Sequence, residues 1–473
     1  MNYKHTLTTH SSEKGFSIGL EPKPAWMAIL LLVIPTALCL LIRFSSILQI
    51  FFPAGSLIVG AFLYWRSPIL YLSFTWWLWF ISPFIARVVE YQNGLTNPGL
   101  RLIILAPYLV TILTAFSFFK HLPRIYRQDG LPFFLGFIAI FYAFFVGLAK
   151  GNSMTEIVQG VLSWLPGIFF GFHLLVNWQD YPRYRQNTQR TFLWGTLVMG
   201  IYGVVQYVVA PEWDRFWLRN SEELLLCCGW PEPLQIRVWS TLNYPFTFGY
   251  AMMASLLLLL SRQEPLAFIA IIAGLMSFLL SAVRAAWGGW FIGFITILIS
   301  LKQHYQMRLI TTILVLGVFL TPLAAMEPFS KVITSRLETL SNVKEDHSFN
   351  ERAGIYAKLV NVAVSEFNGR GMGGEKIIDA GTLDVLATLG WLGIIPFFSG
   401  IILIFLRLFQ YAEARADPFM NTARAIVLSI FITLPSTNTM VLLPGVMFWG
   451  FSGMAMAAHK YHQHQRIVSL KIE

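Results

Sequence analysis

Residues 327–380 read EPFSKVITSRLETLSNVKEDHSFNERAGIYAKLVNVAVSEFNGRGMGGEKIIDA and form the longest hydrophilic insert in an otherwise apolar chain. The insert holds closely spaced charges, then a helical pattern, then a cluster of glycines. Apolar runs long enough to cross a membrane flank it on both sides. A polar insert held between membrane spans allows chemistry in water at a membrane surface, so we expect functional residues here and in neighbouring loops.

The composition is that of an integral membrane protein. The chain has 473 residues, of which 56% are hydrophobic and 12% charged, whereas soluble domains carry roughly 25% charged residues. The net charge of +10 is explained by Lys and Arg in cytoplasmic loops, so we expect the lipid bilayer, and no nucleic acid, as a partner. Cys39, Cys227 and Cys228 indicate neither a disulfide framework nor a metal site.

The apolar runs predict an all-α polytopic protein with about 12–14 transmembrane helices, because a span needs about 20 mostly apolar residues. The first run is expected to be a retained span, since no small-residue cleavage site follows it. The runs are residues 25–42, 47–65, 68–86, 100–119, 131–149, 157–177, 191–210, 244–261, 265–282, 285–301, 308–326, 381–407, 422–436 and 440–458.

Lys and Arg are distributed unequally between alternate loops, which predicts the orientation of the chain. The N-terminal tail and every second loop after it are rich in Lys and Arg, so both termini are expected in the cytoplasm. The predicted regions are a cytoplasmic tail at 1–24, a transmembrane region at 25–326 with a non-cytoplasmic loop at 211–243, a non-cytoplasmic loop or lid at 327–380, C-terminal transmembrane helices at 381–458 and a cytoplasmic tail at 459–473.

Three arginines occupy unusual places on the non-cytoplasmic side. Arg237 precedes a span, Arg284 stands between two closely spaced spans, and Arg352 lies in the insert. Arginine at membrane depth is costly and normally faces a partner or a watery cavity, and guanidinium suits bidentate contacts with phosphate oxygens. Together the three predict a pyrophosphate cradle. Taken singly, snorkelling for Arg237, a carboxylate partner for Arg284 and a solvated surface position for Arg352 stay equal alternatives.

The insert predicts a helix that begins near Arg352 and ends before a glycine-rich segment. Apolar residues recur at helical spacing along it, and Tyr356 lies one turn from Arg352. Gly369, Gly371 and Gly373 follow, and glycine permits a positive φ and a close approach of backbone to a ligand. A tight turn between helices is the alternative. The segment is not a P-loop, because no Lys-Ser/Thr pair follows it.

Asp379 and Asp384 flank the start of the next span. An Asp near a helix N-terminus is often only a cap or a partner of the helix dipole. Either carboxylate becomes a candidate general base where burial raises its pKa. No Ser/His/Asp or Cys/His grouping and no metal-ligand spacing accompanies them, so we expect no cofactor and no metal.

The order of these features resembles the O-antigen ligase and O-antigen polymerase family, which includes exopolysaccharide polymerases. The matching features are an Arg before a Pro-containing turn into a span (237–245), a small-residue, Arg, Ala, Trp and Gly junction (281–289), an Arg-initiated helix that ends in Gly-x-Gly-x-Gly (352–373), and a polar residue eleven positions before Gly-Trp-Leu-Gly (390–393). The resemblance covers residues 237–393, roughly the C-terminal half of the chain.

The resemblance implies a glycosyltransferase of the bacterial inner membrane whose non-cytoplasmic loops are periplasmic. Such enzymes transfer or polymerise glycans from an undecaprenyl-pyrophosphate donor to an acceptor hydroxyl during O-antigen or exopolysaccharide biosynthesis. The three arginines would hold the pyrophosphate, and one of the two aspartates would be the general base. The tyrosine and glycines of the insert would lie near substrate. Reaction by inversion needs no metal, and flippase and chain-length regulator proteins are the implied partners.

The chain departs from the ligases of that family at two positions. The ligases carry His and then Asn at the head of the span after the glycine segment, where this chain has Asp379 and Ala380. An Asp there favours the polymerase branch over lipid A-core ligation. The usual Pro-Asn turn after the first arginine is replaced by Leu-Asn-Tyr-Pro at 242–245, which puts the equivalence of Asn243 in question.

Two other classes of function stay open at this point. Some relatives of the family are described as bicarbonate transporters, and a non-catalytic subunit of a polysaccharide assembly complex would share the same membrane architecture. A transporter predicts ionisable residues at mid-membrane depth along a pathway. The unusual charges of this sequence lie at span ends on one side, which favours an enzyme whose site faces the membrane surface.

Overall fold

The computed structural model describes residues 23–94, 102–220, 227–260, 262, 264–301, 303–327, 329–330, 347–375, 377, 379–410 and 417–470. The described part of the chain is all-helical, with 81% of its residues in helices, so the expected all-α class is confirmed. The described residues form no strand, and a single antiparallel bridge joins Gly229 and Ile236. Three parts of the predicted regions lie outside the described residues: residues 1–22 of the tail at 1–24, residues 221–226 of the first polar loop and residues 331–346 of the insert.

The first half of the chain is a series of antiparallel helices joined by short connections. The helices are α1 (Lys23–Leu41), α2 (Leu48–Arg66), α3 (Pro68–Asn93), α4 (Ala106–Ile112), α5 (Ala115–His121), α6 (Leu131–Ala149), α7 (Met154–Val176), α8 (Tyr181–Val209) and the short α9 (Glu212–Arg219). The helices α4 and α5 belong to one broken apolar stretch, Leu102–Arg124.

The second half of the chain contains the polar insert between two groups of helices. The helices are α10 (Pro245–Leu259), α11 (Pro265–Leu280), α12 (Arg284–Ser300), α13 (Gln303–Ala325), α14 (His347–Ser365), α15 (Gly381–Phe409), α16 (Pro418–Ile432) and α17 (Leu442–Ser469). The helix predicted to begin near Arg352 is therefore present as α14, which starts slightly earlier.

The described residues include eight helical stretches long and apolar enough to cross a membrane, and four shorter apolar helices. Every predicted apolar run overlaps one of the helices, while the exact number of membrane crossings stays a prediction. The helix α8 begins at Tyr181, well before the predicted start at residue 191. Its first turns are polar, so a search for apolar runs does not detect them.

Close approach of small residues holds the centre of the bundle together. Gly171 of α7 faces Gly453 of α17, and a Cβ at either position would collide with backbone of the opposite helix. Small residues at such crossings let membrane helices gain packing without a hydrophobic driving force between them. Buried Trp449 lies beside this crossing, with ring centroids 5.6 Å from Phe133 and 6.0 Å from Phe397. The helices α6, α7, α15 and α17 thus form a rigid frame.

The alternation of the helices gives the molecule two ends. The basic end carries Arg66 at the end of α2 and Arg183 and Arg190 at the start of α8. The opposite end, called the site end below, carries the starts of α10, α12 and α15 and the end of α8. The assignment of the basic end to the cytoplasm stays a prediction of the charge rule.

Candidate functional site

Arg237 is half-buried at the site end, where its guanidinium binds three backbone carbonyls. Its Nη1 donates to the Cys227 carbonyl at 2.7 Å. Its Nε and Nη2 donate to the carbonyls of Ser281 and Ala282, at 3.3 and 3.2 Å. The Phe246 ring lies 5.7 Å from the guanidinium carbon. Arg237 therefore joins its own loop to the turn between α11 and α12.

Arg284 is the first residue of α12, directly after the turn that Arg237 holds. In that turn Ala282 has φ of +53°, a left-handed conformation that non-glycine residues seldom adopt and that surrounding contacts must stabilise. The carbonyls bound by Arg237 supply such contacts. Arg284, whose side chain is half-buried, directly follows this turn, so its backbone is held close to Arg237 at the site end.

Asp379 is half-buried, lies immediately before α15, which begins at the site end, and has φ of +61°. The pKa of the Cys227 thiol lies below its ordinary value, chiefly because of the hydrogen bond with the Cys228 thiol. The Arg237 cation lowers this pKa further, while burial and the Asp379 carboxylate act to raise it. A predicted cation and a predicted base thus lie at the same end of the molecule.

Asp384 lies one turn inside α15 and is buried, with 7% of its surface exposed. Its Oδ1 accepts a hydrogen bond from the Ile377 amide at 2.9 Å, and its Oδ2 accepts one from the Asn438 side chain at 2.7 Å. Both oxygens thus bind groups of the protein itself. Asp384 ties the chain that enters α15 to the loop between α16 and α17.

The loop between α16 and α17 contacts the helix of the insert, α14, and two further helices. The Tyr356 hydroxyl of α14 donates to the Pro435 carbonyl at 2.9 Å, and the hydroxyls of Tyr250 and Ser436 lie 3.2 Å apart. Gly381 contacts the backbone of the same loop so closely that a Cβ would collide with it. The loop therefore connects α10, α14 and α15. The side chain of Arg352, on α14, lies outside the described residues.

The glycine segment inserts into a break in α15. Gly390 has φ of +61° and ψ of −179°, which interrupts the helix. The Ala387 carbonyl before the break accepts a hydrogen bond from the Arg370 amide at 2.6 Å, and the next carbonyl accepts one from Gly371 at 3.1 Å. The Trp391 amide after the break donates to the Phe367 carbonyl at 2.9 Å. The segment thus supplies the partners that the broken helix lacks.

The other side of the glycine segment packs on α6 and the turn that follows it. The Met372 amide donates to the Ala143 carbonyl at 2.8 Å, and the Asn152 side chain donates to the Met372 carbonyl at 2.9 Å. Gly369, Gly371 and Gly373 have φ of +74°, +76° and +78°, so the expected positive φ is present. The amides of residues 370–372 already bind α15 and α6, while a place for these glycines near substrate stays a prediction.

A buried ion pair at the site end was not singled out from the sequence. Arg87 Nε of α3 lies 3.0 Å from Asp214 Oδ1 of α9, and both side chains are fully buried. Arg87 also donates to the carbonyls of Ser240 and Leu242, and Tyr202 donates to Asp214 at 2.6 Å. The pair thus holds the loop that follows Arg237. The detectable signal was an Arg at a span end together with an Asp in the first polar loop.

The described residues contain no cluster of three or more His, Cys, Asp or Glu side chains that could hold a metal ion. The described side chains at the site end include the guanidinium groups of Arg237 and Arg284, the half-buried carboxylate of Asp379 and the thiol of Cys227. Comparison with known proteins adds no assignment, because neither a family model nor a curated protein matches the chain.

Proposed function

We propose that the protein is a membrane glycosyltransferase that transfers or polymerises undecaprenyl-pyrophosphate-linked glycans at the periplasmic face of a bacterial inner membrane. One observation carries the proposal: Arg237 binds the turn that leads into Arg284, and Asp379 directly precedes α15 at the same end of the molecule. Preorganised cations stabilise the charge that develops on a departing diphosphate. A nearby carboxylate accepts the proton of an attacking hydroxyl. Departure of the diphosphate and deprotonation of the acceptor hydroxyl are the two events that this reaction requires.

The contacts of each residue support a division of labour among them. Arg237 holds the turn before Arg284 through two carbonyls, so we assign it to positioning and to the positive field of the site. Arg284 and Arg352 would contact the pyrophosphate directly. Asp379 is the better candidate for the base, because Asp384 uses both carboxylate oxygens on protein partners. Asp384 is then a positioning residue.

The proposed step forms one bond and breaks one. The acceptor hydroxyl oxygen attacks the anomeric carbon of the donor glycan from the face opposite the pyrophosphate. The bond between that carbon and the pyrophosphate oxygen breaks, and undecaprenyl pyrophosphate leaves with the bonding electron pair. The hydroxyl proton passes to Asp379, and the configuration at the anomeric carbon inverts. The arginines stabilise the leaving group throughout the step.

A transporter would need ionisable groups along a path through the membrane. Most of the buried charged or titratable side chains that the structure describes lie near helix ends instead. Arg87 lies near the end of α3 and His173 near the end of α7, whereas Arg424 lies near the middle of α16. Each is bound by protein groups, such as the Leu408 carbonyl for Arg424 and the Ser117 hydroxyl for His173. This distribution favours the enzyme.

A cellular complementation experiment tests the proposal. In cells that carry the protein as their only copy, Arg284→Ala is expected to shorten or abolish the surface polysaccharide and to cause lipid-linked glycan to accumulate. Arg43→Ala is the matched control, since Arg43 is an exposed arginine at the same end of the molecule. Normal polymer with Arg284→Ala at normal protein levels would contradict the proposal.

A further inference from the structure

Two cavities meet at the basic end, and one of them extends from there along α1 and α3 toward the site end. The first, of about 600 Å³, is an apolar groove over α3 between α1 and α8, and Trp26, Leu40 and Trp77 are among its lining residues. The second, of about 540 Å³, is a polar mouth that contains Arg66, Arg183 and Arg190. Leu70, Asn187 and Arg190 line both cavities, so the groove and the mouth are continuous.

The groove has the length and surface of a site for a hydrocarbon chain. It follows α1 from Trp26 to Leu40, a distance of about 21 Å at 1.5 Å per residue. This exceeds the roughly 15 Å that one leaflet contributes to a hydrocarbon core of about 30 Å, so the groove is long enough for the acyl chain of a lipid in one leaflet. Three polar side chains in its wall bind each other: Ser73 donates to Asn187 at 2.7 Å and lies 2.9 Å from the Thr191 hydroxyl. Their hydrogen bonds are therefore already made without a polar ligand in the groove.

The mouth has the charge that suits an anionic head group. Arg66 and Arg190 are exposed, and within the described part of the chain neither guanidinium has a hydrogen-bond or ion-pair partner. The only acidic residue in the lining, Asp180, lies 3.7 Å from Arg183. The mouth is therefore net positive, and guanidinium groups bind phosphate oxygens in bidentate fashion.

We propose that this groove and mouth bind one anionic phospholipid from the leaflet at the basic end. Its phosphate would lie between Arg66 and Arg190, and one acyl chain would follow the groove along α1. Basic pockets between membrane helices bind anionic head groups by this combination of charge and apolar contact. The helix α1 packs loosely, with only 17% of its apolar window buried, so a bound lipid would also attach α1 to α3 and α8.

Native mass spectrometry of the full-length protein in detergent tests the proposal. Phosphatidylglycerol is expected to stay bound, and phosphatidylcholine with the same acyl chains and glycerol phosphate without them are expected to bind far less. Arg66→Ala with Arg190→Ala should weaken phosphatidylglycerol binding roughly 30-fold, from the contribution of two basic side chains. Arg124→Ala with Arg127→Ala removes two exposed arginines outside the groove and should leave binding unchanged.

A second pair of variants tests the groove without touching the charges. Ala37 lines the groove and is exposed, whereas Leu38 is exposed outside it. Ala37→Phe should weaken lipid binding and Leu38→Phe should not. Equal binding of the two phospholipids, equal loss in both double-arginine variants, or tighter binding of an isoprenyl phosphate would overturn the proposal.

Discussion

Arg237 donates its hydrogen bonds to backbone carbonyls of the protein, so we assign it a structural role that differs from the substrate-binding role proposed for Arg284. Three of its donors bind carbonyls, two of them in the turn before Arg284. Asp379 and Asp384 also differ in their proposed roles, because both carboxylate oxygens of Asp384 already accept hydrogen bonds from Ile377 and Asn438. At the scale of single residues, Arg237 among the arginines and Asp384 among the aspartates thus stabilise the structure around the site.

Replacing Arg237 by Lys separates positioning from charge. Lysine keeps the positive charge but carries a compact ammonium that cannot match the planar fork of guanidinium. We expect Arg237→Lys to reduce hydrogen-exchange protection in peptides covering residues 280–286 by about 1–3 kcal/mol. Arg219→Lys, at an exposed position on α9, should leave the same peptides unchanged. Unaltered protection with Arg237→Lys would rule out the positioning role.

The partners of Asp384 allow a test by exchange. Asp384→Asn would set an amide donor against the donor of Asn438 and is expected to lower the free energy of unfolding by about 1–3 kcal/mol. Adding Asn438→Asp restores a donor and an acceptor and should recover most of the loss. Thermal unfolding in detergent measures both variants. Additive losses in the double variant would show that the pair does not interact as described.

At the scale of elements, α15 and the glycine segment form one unit. The break at Gly390 leaves carbonyls that the Arg370 and Gly371 amides satisfy, and the Met372 amide continues the contact to α6. A broken membrane helix is stable only where other groups satisfy its backbone. The insert therefore contributes to the structure of the bundle as well as to the candidate site.

Gly371→Ala tests this unit. Gly371 has φ of +76°, and a Cβ there would collide with the backbone of Gly147. We expect a loss of about 2–4 kcal/mol in stability, since backbone strain and overpacking act together. Gly354→Ala in α14 is the matched control, because nothing lies within 4 Å of its Cβ position and alanine favours the helix by about 1 kcal/mol. Equal stability of the two variants would contradict the insertion described above.

The sequence predicted the elements better than their contacts, and the reason is physical. The hydropathy of a run such as 131–149 depends only on residues adjacent in sequence, and α6 has the same bounds as that run. The amphipathic start of α8 was missed, because its polar turns resemble a loop to a hydropathy window. The glycines predicted a positive φ correctly. Their partner Ala143 could not be predicted, because contacts between residues distant in sequence follow from the packing of whole helices.

At the scale of the whole molecule, buried and exposed charges have different roles. The Arg87–Asp214 pair at the site end is completely buried, whereas Arg66 and Arg190 at the basic end are exposed. A buried pair that also binds backbone carbonyls fixes geometry, while exposed guanidinium groups remain accessible to ligands. The loop after Arg237 is fixed through Ser240 and Leu242, so the site depends on contacts with the first half of the chain.

Removing the charge of Asp214 tests that dependence. Asp214→Asn leaves Arg87 buried without its counter-charge, and breaking such a pair costs about 3–5 kcal/mol. Glu212→Gln removes the acid of the exposed pair with Arg215 on the same helix, which is worth about 0–1 kcal/mol. Denaturation in detergent should separate the two variants clearly. Similar stabilities would mean that the buried pair does not hold the loop.

Release of undecaprenyl pyrophosphate from a glycan-linked donor directly measures the glycan transfer that we propose for Asp379 and the arginines at the site end. Purified wild-type protein with donor and acceptor glycan should release the lipid pyrophosphate. Asp379→Asn should slow release about 10²–10⁴-fold, as expected for loss of a general base, with unchanged thermal stability. Glu232→Gln, an exposed acid in the first polar loop, should release it at the wild-type rate. Wild-type release by the folded Asp379→Asn variant would contradict the claim.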